Sequence, residues 1–62
     1  MISSIDIFHS YDYYNTTGAM RDLTKTEKDF YDFCVDNHEE ICNEDMNQEV
    51  QQKASALWMK IL

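Results

Sequence analysis

The sequence predicts a small, mostly α-helical protein whose main element is a helical hairpin, with α+β as the alternative fold class. Two stretches, residues 25–42 and 44–61, each place apolar side chains at the spacing of one face of a helix. If they formed one continuous helix, their apolar faces would point in nearly opposite directions and share no core. We therefore predict a turn near residue 43 and a single domain over residues 1–62, in which residues 1–17 form an N-terminal arm and residues 18–62 form the hairpin.

The length of the chain limits how stable this fold is on its own. A protein of 62 residues buries only about 60 % of the surface that its unfolded chain exposes. Natural proteins of this size gain stability from disulfides, a metal or a second subunit. Hydrophobic residues make up 44 % of the sequence and aromatic residues 13 %, more than a disordered acidic tail contains. The chain is expected to fold, alone or with a partner.

Residues 1–14 are predicted to form a strand-like arm, because isoleucine, phenylalanine and tyrosine suit a pleated sheet and four large apolar side chains share one side at a period of two. The residues on that side are Ile5, Ile7, Tyr11 and Tyr13. Such a strand has no partner elsewhere in this chain and would pair with a strand of another molecule. The alternative is a short helix capped by Ser3 or Ser4, with Asp6 in its first turn. A loop at 15–18 follows, ending on Gly18.

The first helix of the hairpin is expected to begin near residue 25. Thr24 and Glu27 have the spacing of a capping box, and Thr26 is an alternative cap. At 100° per residue, this helix has one apolar face and one acidic face. The apolar face contains Phe30, Tyr31, Phe33, Cys34, Val35, Ile41 and Cys42. The acidic face contains Asp29, Asp32, Asp36, Glu39 and Glu40.

The second helix of the hairpin is expected over residues 44–61. Asn43 is the predicted N-cap, and Lys53 and Lys60 lie toward the end where the helix macrodipole favours positive charge. One stripe of this helix is apolar and should cover the apolar face of the first helix. The stripe contains Met46, Val50, Ala54, Leu57, Trp58 and Ile61.

The charge balance excludes several classes of function. Twelve aspartates and glutamates face five lysines and arginines, which gives a formal charge of −7 and a pI near 4.4. Direct nucleic-acid binding and binding to anionic membranes both need an excess of basic residues, so neither is expected. A protein with a basic surface is the natural partner. The first residues lack a signal peptide and no apolar run could span a membrane, so a cytoplasmic protein with reduced cysteines is expected.

Cys34, His38 and Cys42 recur every four residues and carry the side chains that zinc prefers. On one helix the Cα atoms of the two cysteines are about 12 Å apart, too far to share an ion or to form a disulfide. We predict no metal site and no cofactor, with a site between chains at Cys34 and His38 as an alternative. The surrounding carboxylates disfavour a reactive thiolate and the chain offers little concave volume, so no catalytic residue and no enzyme activity are predicted.

The acidic face and the aromatic residues of the arm remain as candidates for binding a partner. Acidic helix faces usually just promote solubility. A functional interpretation is favoured because Asp36, Glu39 and Glu40 lie near the predicted C-terminus of the helix, where the macrodipole disfavours negative charge. The predicted partner-binding residues are Asp29, Asp32, Asp36, Glu39, Glu40, Tyr11, Tyr13 and Tyr14.

Together these features predict a small acidic regulator that binds another protein, such as an inhibitor from a phage or mobile element that engages a nucleic-acid-binding target. A sharper hypothesis is partial DNA mimicry, because the acids are spaced about 4.5 to 6 Å along the helix whereas phosphates in one DNA strand are about 3.4 Å apart. The alternative is a structural homo-oligomer, a homodimer that forms a helical bundle and whose acidity serves solubility.

Overall fold

The fold is mostly α-helical, as the sequence predicts. The structure, a computed structural model, describes residues 2–17 and 22–61. Within those residues it contains four helices and no strand. The helices are α1 (Ser4–Thr17), α2 (Lys25–Asp36), α3 (His38–Ile41) and α4 (Gln48–Met59).

The N-terminal arm is a helix, so the predicted strand is wrong and the alternative is correct. The Ser3 hydroxyl accepts a hydrogen bond from the backbone N–H of Asp6 at 3.2 Å, and the Ser3 carbonyl accepts one from Ile7 at 3.1 Å. Asp6 stands in the first turn, where the macrodipole favours negative charge. The predicted loop at 15–17 is wrong as well, because α1 continues through Thr17. Gly18 lies outside the described residues.

The spacing of the buried side chains explains why the helix is preferred over the strand. Ile7 and Tyr14 are buried and Tyr11 is half-buried, a spacing of four and then three residues that matches one face of a helix. Ile5 and Tyr13, which the strand would have placed on the same side as Ile7, are exposed. The apolar residues at a period of two therefore do not form one buried side. Packing against the hairpin instead buries the residues that share one face of the helix.

The start of α2 follows the prediction closely. Thr24 is the N-cap: its hydroxyl accepts from the Glu27 N–H at 3.3 Å, while the Glu27 carboxylate accepts from the Thr24 N–H at 3.0 Å. This reciprocal pair satisfies two backbone donors that a helix start leaves without partners. Thr26 is not the cap, but its hydroxyl lies 3.2 Å from that of Thr24.

The first helix of the hairpin is interrupted at Asn37, which the sequence analysis did not predict. The backbone of Asn37 leaves the helical region, at φ −118° and ψ 30°. Its side-chain amide donates to the Phe33 carbonyl at 2.9 Å, and its backbone N–H donates to the same oxygen at 3.1 Å. An asparagine side chain that bonds to the preceding turn competes with the helix ladder and bends it. The predicted helix over 25–42 is thus two segments, α2 and the single turn α3.

The second helix begins four residues later than predicted. Asn47 is the N-cap, since its side-chain oxygen accepts from the Glu49 N–H at 2.8 Å. Asn43 has a different role: its side chain accepts from the Asp45 N–H at 3.0 Å, an Asx turn that reverses the chain after α3. Both asparagines suit a cap, and the sequence alone did not distinguish the turn from the helix start.

The core lies where α1 packs across the α2–α4 hairpin. Each helix contributes apolar side chains to it, and Phe30 and Ile7 are the largest that are completely buried. The predicted stripe of α4 faces this core, with Ala54 buried and Val50, Leu57, Trp58 and Ile61 packed around it. The buried hydrophobic residues are Ile7, Tyr14, Phe30, Cys34, Ile41, Met46 and Ala54.

Two predicted members of the apolar face of the first helix are exposed instead. Val35 and Cys42 lie on the surface, whereas Phe30, Cys34 and Ile41 are buried. On the helical projection Val35 and Cys42 stand about 100° or more from the centre of the buried residues. The apolar face is therefore narrower than predicted.

The N-terminus is attached to α4 through the backbone of Ile2. Its N–H donates to the Ser55 hydroxyl at 2.8 Å, and its carbonyl accepts from the Gln51 side chain at 2.9 Å. Gln51 and Ser55 are four residues apart and hence neighbours on one face of α4. Ser55 is 3 % exposed, so this hydrogen bond satisfies a buried hydroxyl and fixes where α1 begins.

Candidate functional site

Four of the five residues of the predicted acidic face are exposed on α2 and α3. Asp29, Asp32, Asp36 and Glu39 are exposed. In the part of the chain that the structure describes, none of these four makes an ion pair or a side-chain hydrogen bond. We call these four residues the acidic face. Their carboxylates are therefore accessible from the solvent.

The acidic face is not flat where α2 ends. An open depression of about 440 Å³ lies at the junction with α3. The exposed Val35 side chain contributes apolar surface to it, and carboxylates surround it. A basic side chain with an aliphatic stem can place the stem on such apolar surface and the charge among the carboxylates. The lining residues are Val35, Asp36, Asn37, His38, Glu39 and Glu40.

The distribution of charge along the chain adds to the negative potential of the acidic face. Residues 29–52 contain eight of the twelve acidic residues and neither lysine nor arginine. An ion pair does form on α4, between Glu49 and Lys53 at 3.8 Å, and both side chains are well exposed. Such a pair contributes little to stability and does not involve the acidic face, whose neighbouring lysines Lys25 and Lys28 stand one helical turn before Asp29 and Asp32. The resulting negative potential extends into the solvent over a distance of about one Debye length.

Glu40 has an intramolecular role that its spacing in the sequence does not reveal. Its carboxylate accepts a hydrogen bond from the backbone N–H of Asn47 at 2.9 Å, and the side chain is half-buried. This bond joins α3 to the N-cap of α4 and holds the connection between them. Because that carboxylate is already engaged, we separate Glu40 from the acidic face.

The break at Asn37 changes which acidic residues lie at a helix C-terminus. Glu39 and Glu40 lie in the first turn of α3 and not at the end of a long helix. Asp36 alone keeps the unfavourable position, as the last residue of α2. Only Asp36, and not Glu39 or Glu40, therefore has the unfavourable interaction with the macrodipole that the sequence predicts for all three.

The three tyrosines predicted to bind a partner have different environments. Tyr14 is 7 % exposed and packs on Phe30 with ring centroids 6.1 Å apart, so it belongs to the core and its prediction as a surface anchor is wrong. Tyr13, in contrast, is 54 % exposed. Tyr11 packs on Tyr31 with centroids 5.7 Å apart. Burial, and secondly the nearby Tyr31, raise the pKa of Tyr11.

Tyr31 links this tyrosine pair to the end of α1. Its hydroxyl donates to the Asn15 side chain at 2.8 Å. Tyr11 is half-buried where α1 packs against α2. Of the three predicted aromatic residues, Tyr13 presents the largest exposed area to a partner.

The two cysteines differ in solvent exposure. Cys34 is completely buried, and this burial, with a smaller effect of Cys42, raises the pKa of its thiol to about 12. A thiol that stays protonated at neutral pH is a poor nucleophile and a poor metal ligand. Cys42 is exposed, and both thiols are free. Among residues 2–17 and 22–61 no three potential ligands are grouped for a metal ion.

A second exposed surface was not predicted. Ile5 and Phe8 on α1 are 66 % and 39 % exposed and border an open groove. They are three residues apart and hence neighbours on α1, at about 160° and 100° from Ile7 around the helix axis. The helical alternative for residues 1–14 would have indicated this second apolar side, whereas the strand assigned Ile5 and Ile7 to a single side.

Comparisons with known proteins give no relative for this chain. No protein-family model matches it, and no significant match was found among curated proteins or solved structures. None of the helices described here has the length and apolar content that a membrane span needs.

Proposed function

We propose that this chain is a small acidic protein-binding regulator that engages a basic surface of a partner protein through the acidic face of α2 and α3. The observation that carries the proposal is that Asp29, Asp32 and Asp36 are exposed at the spacing of one face of α2 and that Glu39 borders the same depression as Asp36. None of the four pairs with a described residue. A small helical fold displays these charges without needing them for its own contacts.

The geometry of the acidic face suits a row of lysine or arginine side chains. Asp29, Asp32 and Asp36 follow one another at about 4.5 and 6 Å along the axis of α2. Each carboxylate can accept a charge-assisted hydrogen bond from a basic side chain, and arginine can bind in a bidentate manner. The break at Asn37 then turns the chain so that Glu39 borders the depression at the junction.

The class of partner follows from this charge pattern. Proteins that bind nucleic acids carry clustered lysines and arginines to neutralise phosphates. An acidic helical surface competes for such a cluster, and this is the action we propose for a cytoplasmic inhibitor of the kind that phages and mobile elements use. The spacing of the carboxylates is wider than that of phosphates along one DNA strand, so mimicry of DNA is partial.

The test is capture of basic proteins from a cell lysate by the immobilised chain, followed by mass spectrometry. We expect captured proteins to be basic and to be released as the salt concentration rises, because exposed charges are screened. The variant that combines Asp32→Asn, Asp36→Asn and Glu39→Gln should lose them.

A matched control makes this experiment specific. Asp6→Asn, Asp45→Asn and Glu49→Gln together remove the same number of charges from exposed positions outside the acidic face. This control should retain the captured proteins. Equal capture by both triple variants, each shown by circular dichroism to be folded, would refute the proposed role of the acidic face.

A further inference from the structure

An open groove runs between the N-terminal half of α1 and the connection that follows α3. Its volume is about 330 Å³, near the lower end of the range for ligand pockets and sufficient for one large side chain. It lies outside the acidic face. The lining residues are Ser4, Ile5, Phe8, His9, Ile41, Cys42, Asn43 and Glu44.

The α1 side of this groove combines exposed apolar side chains with polar ones. Ile5 and Phe8 present most of this apolar surface, and the Phe8 ring is held against His9 at a centroid distance of 5.9 Å. Across the groove, Ile41 connects the apolar surface to the core and the exposed Cys42 adds its side chain. Ile5 and Phe8 therefore leave apolar side-chain area uncovered beside a concave surface.

The charges around the groove indicate what can occupy it. Glu44 lines it directly, and Asp12 stands one helical turn after Phe8 on the same side of α1. Among the residues that the structure describes, no lysine or arginine lines the groove. A second copy of this chain would bring another molecule of charge −7 against this acidic rim. The charges therefore favour a basic occupant over self-association.

We propose that this groove docks a basic segment of the partner protein, with one large apolar side chain of that segment inserted between Ile5 and Phe8 and the far wall at Cys42. Lysines or arginines on either side of the inserted residue bind Asp12 and Glu44. This inference rests on the proposed function, since it takes the partner to be basic. It adds a specificity-determining contact, because the acidic face alone distinguishes basic from acidic surfaces.

The test compares two fluorescein-labelled peptides that differ at one position. Both are lysine-rich, and one has phenylalanine at its centre where the other has serine. Binding of each to the full chain is measured by fluorescence anisotropy. Burial of a phenylalanine side chain is expected to make the phenylalanine peptide bind about tenfold more tightly or better.

Variants then locate the contact. Ile5→Ser and Phe8→Ser together should abolish the advantage of the phenylalanine peptide and leave binding of the serine peptide nearly unchanged. Met59→Ser removes an exposed apolar side chain from α4 and should leave the advantage intact. Thermal melts establish that each variant is folded, and single substitutions replace the double one if it is not.

The outcomes separate this inference from the function on which it rests. If the serine peptide binds with salt-sensitive affinity but the phenylalanine adds nothing, the acidic face stands and the groove proposal is refuted. An advantage that persists in the Ile5→Ser and Phe8→Ser variant refutes it equally. If neither peptide binds at low salt, the proposed function fails as well. Sedimentation that shows a dimer abolished by Ile5→Ser would assign the groove to a second copy and overturn the proposal.

Discussion

Replacing Asp36 with lysine is expected to stabilise the protein while weakening its binding to a basic partner. Asp36 ends α2, where the macrodipole disfavours a negative charge by about 0.3–1 kcal/mol. Asp32 lies four residues before it, and a like-charged pair at this spacing costs about 0.2–0.5 kcal/mol. Lysine at position 36 reverses both effects and places an acid before a base, the favourable order.

The expected gain is about 1 kcal/mol, the low end of these ranges when both effects are reversed, because water screens the exposed side chain. For a domain of this size, that corresponds to an increase in Tm of about 4–8 °C. Urea and thermal unfolding, followed by circular dichroism and by Trp58 fluorescence, measure it. Asp36→Asn is the control, since it removes the charge without adding one and should give about half of the gain.

Salt dependence distinguishes an electrostatic gain from a packing effect. At about 1 M salt the Debye length falls to about 3 Å, and the difference between Asp36→Lys and the wild type should shrink toward zero. If the variant is no more stable than the wild type at low salt, then the charge at the end of α2 is compensated within the molecule. The reasoning that Asp36 costs stability would then be refuted.

Three further predictions concern the core and its attachments. Cys42 should react with a thiol reagent within seconds at pH 8 while Cys34 reacts at the rate of unfolding, and equal rates would contradict the burial of Cys34. The pKa of the Cys34 thiol is raised from its usual value near 9 to about 12 in the folded state. The stability that the protonated thiol contributes is therefore fully present below pH 9 and is lost as the pH rises toward 12. Cys34→Ala should remove this loss from the pH profile of stability. Ser55→Ala should lower the free energy of unfolding by about 1 kcal/mol because the Ile2 N–H loses its acceptor, and an unchanged urea midpoint would count against this attachment.

The parts of the fold that could be predicted depend on local patterns. The hairpin follows from two apolar stripes, and the start of α2 follows from Thr24 and Glu27, whose hydrogen bonds span only three residues. The acidic face was predictable as an exposed surface because unpaired carboxylates are too costly to bury. These features are encoded within one or two turns of helix.

The errors arose where distant contacts decide between local alternatives. Residues 1–14 fit a strand and a helix nearly equally, and the contacts of Ile7 and Tyr14 with the hairpin select the helix. The break at Asn37 and the turn at Asn43 use the same residue type that can also cap a helix. Residue type alone does not reveal which of these roles an asparagine has.

In the candidate site, too, features that depend on local spacing could be predicted, whereas contacts between distant residues could not. Asp29, Asp32, Asp36 and Glu39 were predicted by their spacing alone. Glu40 has the same spacing, but its carboxylate is engaged by Asn47, seven residues further along the chain. The attachment of Ile2 to Ser55 spans 53 residues and has no signature in the sequence.

The most direct test of the acidic face as a binding surface is an NMR titration of the ¹⁵N-labelled chain with the lysine-rich serine peptide at low salt. We predict that the largest shift changes lie at residues 29, 32, 36 and 39 and that they disappear at high salt. Changes concentrated on α4, or changes of equal size over the whole chain, would contradict the proposal that this face recognises the partner.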